Sequence, residues 1–427
     1  MTGHLRAAEK RVVAAVAEDR DALVALVSDL VARPSVTGEE APAAAGVRDW
    51  LQAHGFDVIE QVIDPNSEVA RRFPAERNLD ARPNVVVRWE PAGHVAGSVR
   101  RRIVLNGHLD VVPAGDEVAW THPPFAGVVA DGRIWGRGTA DMKAGLAVAM
   151  FALHCLRRAG ITLDYTLELQ AVVGEESGGI GTAAMLEHTG PPDAAVVLEP
   201  TGNRVITAAG GAQPFSVEVD GIAAHVSTPW EGVSAFEKLT LVYQRIMDFW
   251  SERERRVTHP LFRALPAAVP TSVGHVRAGS WRLTLPEQAL LQGRIGALPD
   301  EDLAVVRRDL TAALRQLGEQ DDWLAAHPVR VRWDGPGFPG WETDPESALA
   351  NSFLTASRDL GHGDTPGCVT YGTDASAFAG HGSEVLLFGP GDVAQAHTRD
   401  EWVAVDQVVQ ACQILCVALI RLSDGLA

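Results

Sequence analysis

A chain of 427 residues, 46% of them apolar, is long enough for two or three domains with substantial cores. Its formal charge of −18 argues against nucleic acid or an anionic membrane as partner. No uninterrupted apolar run reaches the ~18 residues that a membrane span needs.

The opening stretch, "MTGHLRAAEKRVVAAVAEDRDALVALV", is broken by charge too often for a secretory segment, so a cytoplasmic protein is expected. Residues 21–33 carry helical periodicity that stops at Pro34. Short apolar runs over 84–89, 102–106, 166–173 and 194–198 read as strands, with helices over 141–158 and 180–188. Strands alternating with helices imply βαβ units and a largely parallel sheet. Near 212 the pattern changes. "PFSVEVDG", a helix near 233–253, "TSVGHVRAG", "PEQALLQGRIG", a helix near 300–318 and "PVRVRW" form an α+β set, with strands alternating as in an antiparallel sheet covered on one face. Beyond about 336 the first pattern resumes with a helix over 346–360, the strand "EVLLFG" and a helix over 403–422. The expected architecture is an α/β domain with a mostly parallel central sheet, residues 1–211 and 336–427, interrupted by a smaller α+β insert over 212–335. Four scattered cysteines make no disulfide framework. Cys412 and Cys416, four apart on one helix face, read as core.

The polar residues at the strand ends carry the chemistry. "VLNGHLDVVP" places His108 and Asp110 just past a strand, and their spacing points both side chains the same way while the segment stays extended. "GRGTADMKAG" places Asp141 where a glycine-rich loop enters a helix. Glu175 and Glu176 end the next strand, Glu199 the one after, and His397 lies in the loop after the last. In an open parallel sheet that edge is where ligands bind. Each residue has a plain alternative: a surface histidine, a helix cap at Asp141, a solvated strand end at Glu199, a turn at Asp110. The adjacent glutamates are the hardest to explain away, because neighbouring carboxylates repel unless a cation offsets them. Imidazole and carboxylate without thiolate suit zinc, manganese or cobalt. The chain has no G-x-S-x-G elbow, H-E-x-x-H helix or Walker A loop.

"GHLDVVPAG", "WTHPPFAG", "DGRIWGRGTADMKAG", "GEESGG", "LEP" and "GPGDVAQAHTRDEWV" together resemble the M20 metallopeptidase family, which includes acetylornithine deacetylase, succinyl-diaminopimelate desuccinylase and aminoacylase. The resemblance implies a zinc-peptidase-like catalytic domain with an inserted lid or dimerisation domain, hence a homodimer. It implies one or two divalent ions (Zn, Mn or Co), with Asp141 bridging, His108 and Glu199 on one ion, and Glu176 and His397 on the other. Glu175 matches the general base for metal-activated water, and Asp110 the partner that orients His108. The bond Asp141–Met142 matches one that is cis in the family. In the insert, His225 matches a histidine that reaches into a partner's active site, and Arg294 an arginine that holds a substrate carboxylate. Tyr371, Gly372 and Thr373 read as a loop beside the pocket. Leu283 stands where many relatives have asparagine. The implied activity is hydrolysis of the C–N bond of a small N-acyl amino acid or related amide. Deformylation, decarbamoylation or deamination of a small, even aromatic, amine-bearing carboxylate is the alternative, which the tryptophans Trp230, Trp281 and Trp341 allow. A non-catalytic descendant would have lost ligands or base, and all are present.

Overall fold

The computed structural model describes residues 5–74, 76–90 and 101–424. By its internal contacts the chain divides into two compact units. The larger runs up to Thr207 and includes Glu342–Gly367 and the chain from Thr373 on; the smaller is Ala208–Trp341 with Cys368–Gly372. The pattern of the sequence puts the breaks at 211/212 and 335/336 instead. Residues 368–372 join the smaller unit through hydrogen bonds that no periodicity reveals: Gly210 N donates to Val369 O at 2.9 Å and Arg294 Nη2 to Thr370 O at 2.6 Å.

The larger unit is built on a mixed sheet whose strands lie in the order Val58–Gln61, Asn84–Trp89, Thr166–Val172, Arg102–His108, Ala194–Val197, Glu384–Leu387. The last four run parallel, and antiparallel pairs flank them. The heart of the sheet is thus parallel, as the alternation of strands and helices implies, while its margins are not.

Thr166–Val172 alternates apolar and polar residues, yet every one of its residues is buried. Glu168 is tolerated there because Arg88 donates to it at 2.7 and 3.0 Å and Gln170 at 2.6 Å. Helices Ala144–Arg158 and Val405–Asp424 pack against each other in the main core, with the thiols of Cys412 and Cys416 fully buried. By length and composition Thr139–Arg158 and Val405–Ser423 would suffice to cross a membrane, but 89% and 67% of those windows are buried inside the unit. Gly145 allows this helix to reach the end of Ala194–Val197, since a Cβ there would lie 1.9 Å from Leu198 O.

Regular helix begins at Ala144 rather than at 141. Asp141 and Met142 have non-helical dihedrals, and the peptide bond between them is cis. The amides of Gly138, Ala140 and Asp141 are taken by the Glu401 carboxylate instead of by a helical turn.

The smaller unit is an antiparallel sheet in the order Ser272–Ala278, Gln288–Ala297, Gly211–Asp220, Arg330–Trp333. Helices Ala235–Glu254 and Leu303–Arg315 cover one face, burying Leu239, Val242 and Ile246 and Val306, Leu310 and Leu314 against Phe215, Val217 and Ile295. Ser234 caps the first by accepting from Glu237 N at 3.3 Å, and Asp302 caps the second by accepting from Ala304 N at 2.7 Å. This unit is the α+β set expected from the alternating strands.

Candidate metal centre

Four parallel strands end on one edge and deliver most of the acids and imidazoles there. His108 is the last residue of Arg102–His108; Glu175 and Glu176 follow Thr166–Val172, Glu199 follows Ala194–Val197, and His397 lies beyond Glu384–Leu387. Asp141 comes from the loop before Ala144–Arg158. Two groups result: His108, Asp141 and Glu199, and Asp141, Glu176 and His397. In each group one donor atom per residue lies within 4.8 Å of the others.

Asp141 belongs to both groups through different oxygens. Its Oδ1 is 3.1 Å from His108 Nε2 and its Oδ2 3.4 Å from His397 Nε2, which also stands 3.1 Å from Glu176. His108 Nδ1 is 2.9 Å from the carbonyl of Asp110, a bond that holds a proton on Nδ1 and turns Nε2 toward the cluster. His397 is held with φ of 61°, a left-handed conformation uncommon outside glycine.

Asp110 stands at the other ring nitrogen of His108: its main-chain carbonyl is 2.9 Å from Nδ1 and its carboxylate Oδ1 3.6 Å from it. That carboxylate also accepts from the amides of Glu175 and Glu176 at 3.1 and 3.0 Å and from Thr37 Oγ1 at 3.0 Å. One residue thereby ties the His108 strand to the turn carrying the glutamate pair.

The electrostatics show what the cluster needs. Burial pushes Glu175 and Glu199 well above the usual carboxylate range, and the surrounding acids add to it against the pull of His108. Burial opposes charge on His108, but the Asp141 hydrogen bond and the charges of Asp110, Glu175 and Glu199 carry it well above an ordinary histidine. Hydrogen bonds to Asp141 and Glu176 lift His397 to about 10. Burial also opposes charge on Asp141, yet the two histidines hold it well below its ordinary value. The acids crowd together with too little positive charge, so protons accumulate on the imidazoles and the spare carboxyls. Divalent cations would supply that charge directly, and the nitrogen and oxygen donor set fits zinc, manganese or cobalt. Glu175 is 8% exposed and belongs to neither group of three.

A model of the family described as "Peptidase family M20/M25/M40" matches residues 104–421, three quarters of the chain, including every residue of both groups. The chain belongs to peptidase family M20/M25/M40. Across its length this M20 protein is 28% identical to an N-formyl-4-amino-5-aminomethyl-2-methylpyrimidine deformylase of Halalkalibacterium halodurans, with 95% of each chain aligned. It is 26% identical to a Staphylococcus epidermidis protein named "Probable succinyl-diaminopimelate desuccinylase", over 90% of this chain and 93% of the other. In fold it matches human carnosine dipeptidase 1 with a TM-score of 0.76 at 15% identity, covering 98% and 99% of the two chains. A Bacillus subtilis protein described as a dinuclear metal binding peptidase from M20 family matches with a TM-score of 0.63 at 14% identity, covering 95% and 98%. The M20 protein is accordingly a hydrolase of amide C–N bonds, and its clustered imidazoles and carboxylates are a candidate metal-ligand cluster.

The remaining expected site residues lie in or beside the smaller unit. His225 is exposed, with Nδ1 accepting from Ser227 N at 3.1 Å, and it forms a bridge with Thr284. Arg294 is half-buried; its Nε is buried without a partner among the described residues, and burial lowers its pKa. Tyr371 and Gly372 belong to the smaller unit and Thr373 to the larger, where the buried Thr373 Oγ1 accepts from Ala375 N at 3.3 Å. Of the three tryptophans, Trp230 and Trp281 are exposed, whereas Trp341 is a core residue at 4% exposure and lines no open surface.

Two buried acids escape a reading by motif. Asp374 accepts from Thr182 Oγ1 at 2.7 Å, its other oxygen occupies the space a Cβ on Gly179 would need, and burial raises it to about 6. Glu401 lies inside the quoted "HTRDEWV" but is overshadowed there by the histidine. Neither offers a signal beyond being an acid in a loop, because only the fold shows what each touches.

Proposed function

We propose that this M20 protein hydrolyses the amide bond of a small N-acyl compound at a centre for two divalent ions, with His108 and Glu199 serving one, Glu176 and His397 the other, and Asp141 both. The observation that carries the reading is Asp141 turning one oxygen to each histidine. Bound divalent ions supply Lewis acidity that activates water and polarises the scissile carbonyl. Glu175 takes a proton from the attacking water as its oxygen bonds to the acyl carbon. It then delivers that proton to the nitrogen as the C–N bond breaks, leaving a carboxylic acid and an amine. Asp110 holds the amide of Glu175, so the base is set on a fixed backbone. His225 acts as a donor to the developing oxyanion, from a partner subunit joined through the insert. The exposed Phe236 and Tyr243 of the helix Ala235–Glu254, grouped with the exposed Val276 of the edge strand Ser272–Ala278, support that homodimer.

The half-buried Arg294, whose buried Nε lacks a partner among the described residues, supports a substrate with a carboxylate, with Tyr371, Gly372 and Thr373 in the loop following Thr370, to whose carbonyl it donates. A second reading, removal of a formyl group from a small aromatic amine, rests on the deformylase relative and on the apolar Leu283 beside Trp281. The four free, buried cysteines accord with work in the reducing cytoplasm. The test is turnover by zinc-, manganese- or cobalt-reconstituted protein against N-formyl, N-acetyl, N-succinyl and N-carbamoyl amino acids and N-formyl aromatic amines. Release of free amine from at least one class is expected. Failure on all of them with metal bound would reject the substrate class.

A further inference from the structure

His108 ends the strand Arg102–His108, but the other proposed ligands lie outside regular strands and α-helices, so something must hold their loops in register. Glu401, fully buried, does this with one carboxylate. Its Oε1 accepts from the amides of Ala140 and Asp141 at 2.8 and 3.2 Å; its Oε2 accepts from Gly138 N at 3.0 Å and Arg137 Nη1 at 2.7 Å. Arg137, 3% exposed, also donates from Nη1 to Thr398 O at 3.0 Å and from Nη2 to Pro113 O at 3.4 Å, and its guanidinium lies 5.2 Å from the Trp120 ring centre. Gly136 N donates to Glu401 O at 2.9 Å, continuing the pairing of Trp402 with Trp135.

We infer that Glu401 is a positioning residue for the shared ligand: by gripping the backbone of 138–141 through three amides it aims the two oxygens of Asp141 at the two histidines, while Arg137 braces the surrounding loops without touching those amides. The charge matters as well as the shape. Three amide donors and a guanidinium converge on two oxygens, and only a carboxylate has acceptors for all four. A neutral amide in the same place would turn an NH2 toward at least one donor. Asp141 sits outside helical geometry, with φ −120° and ψ 94°, so its own neighbours in sequence do not fix its direction. Its orientation is imposed by Glu401. The inference rests on the two-ion reading above, and its test separates the two.

The experiment is cobalt titration of metal-free protein, followed by calorimetry and the visible spectrum of bound Co(II), alongside thermal unfolding of the metal-free form. Wild type is expected to bind cobalt; if it binds none, the two-ion reading falls, and with it the role given to Glu401. Glu401→Gln should fold and bind cobalt roughly 10- to 100-fold more weakly, the usual cost of losing an outer partner of a ligand, with an altered spectrum. Arg137→Met keeps all three amide bonds. It should lower the unfolding temperature of the metal-free protein while leaving cobalt affinity within about threefold, well under that cost. Wild-type affinity and spectrum in Glu401→Gln would overturn the inference, as would equal weakening by Arg137→Met, which would make the pair merely structural. If Glu401→Gln does not fold, Glu401→Asp decides. It keeps the charge but draws the oxygens back by about one bond, ~1.5 Å. Weakened cobalt binding there supports the inference, and wild-type binding refutes it.

Discussion

Replacing Glu175 by glutamine tests the proposed proton transfer apart from everything else the centre does. The side chain is 8% exposed, stands in neither group of three, and has its amide fixed on Asp110 at 3.1 Å. Glutamine fills the same volume on the same backbone but cannot take a proton. Removing one general base usually lowers turnover by ~10²–10⁴. The upper part of that range is expected here, because no neighbouring acid can deputise. Glu176 and Glu199 are committed to the ligand groups, and Asp374 is tied to Thr182 at 2.7 Å. A loss of ~10³–10⁴ in kcat corresponds to about 4–5.5 kcal/mol of transition-state stabilisation. Metal content after dialysis, measured by mass spectrometry, should match wild type, and KM should move by no more than about threefold, since ground-state contacts are retained. Turnover within about tenfold of wild type at full metal content, below the usual contribution of a base, would refute the assignment. Loss of metal together with activity would make Glu175 a ligand instead.

Asp141→Asn removes the shared charge, so both ions should weaken together, by at least the ~100-fold that loss of a mere outer partner can cost; calorimetric titration that finds one site intact would show that Asp141 does not serve both. Arg294→Met should raise KM for carboxylate-bearing substrates by roughly 10- to 150-fold, the equivalent of ~1.5–3 kcal/mol for a charged hydrogen bond, with kcat little changed. Carboxylate-free formamides should be insensitive to it; equal sensitivity of both classes would contradict the role. Arg82, 1% exposed, joins Glu40 and Glu76, themselves 0% and 3% exposed, and Glu76 also bonds Ser177 beside the glutamate pair. Arg82→Met strands two buried carboxylates and should cost ~3–5 kcal/mol in urea unfolding; a loss under ~1 kcal/mol would show that the pair is screened.

Much of the centre is legible in the chain because ligand residues follow strand-like runs. Once "RIVLN", "TLELQAVV", "AAVVL" and "EVLLFG" are read as neighbouring parallel strands, His108, the glutamate pair, Glu199 and His397 must emerge near one edge. Read as an apolar run, "TLELQAVV" does not say what its two polar side chains meet. Glu168 and Gln170 are buried with the rest, their polarity met by Arg88 and by each other. Asp110 shows a similar limit. The i, i+2 spacing puts it beside His108, yet its carboxylate is claimed by two amides some 65 residues further along the chain.

Periodicity, turn residues and the order of apolar runs are local properties, and by themselves they determined the parallel heart of the sheet, the antiparallel insert and which acids and imidazoles gather at one sheet edge. Tertiary structure alone decided how those residues are aimed: the shared orientation of Asp141, the ring of His108 turned by a main-chain carbonyl, and the grip of Glu401 on 138–141. The reason is that hydrogen bonds between segments hundreds of residues apart leave no trace in local spacing. A buried acid in a loop looks the same on the page whether it faces solvent or holds three amides.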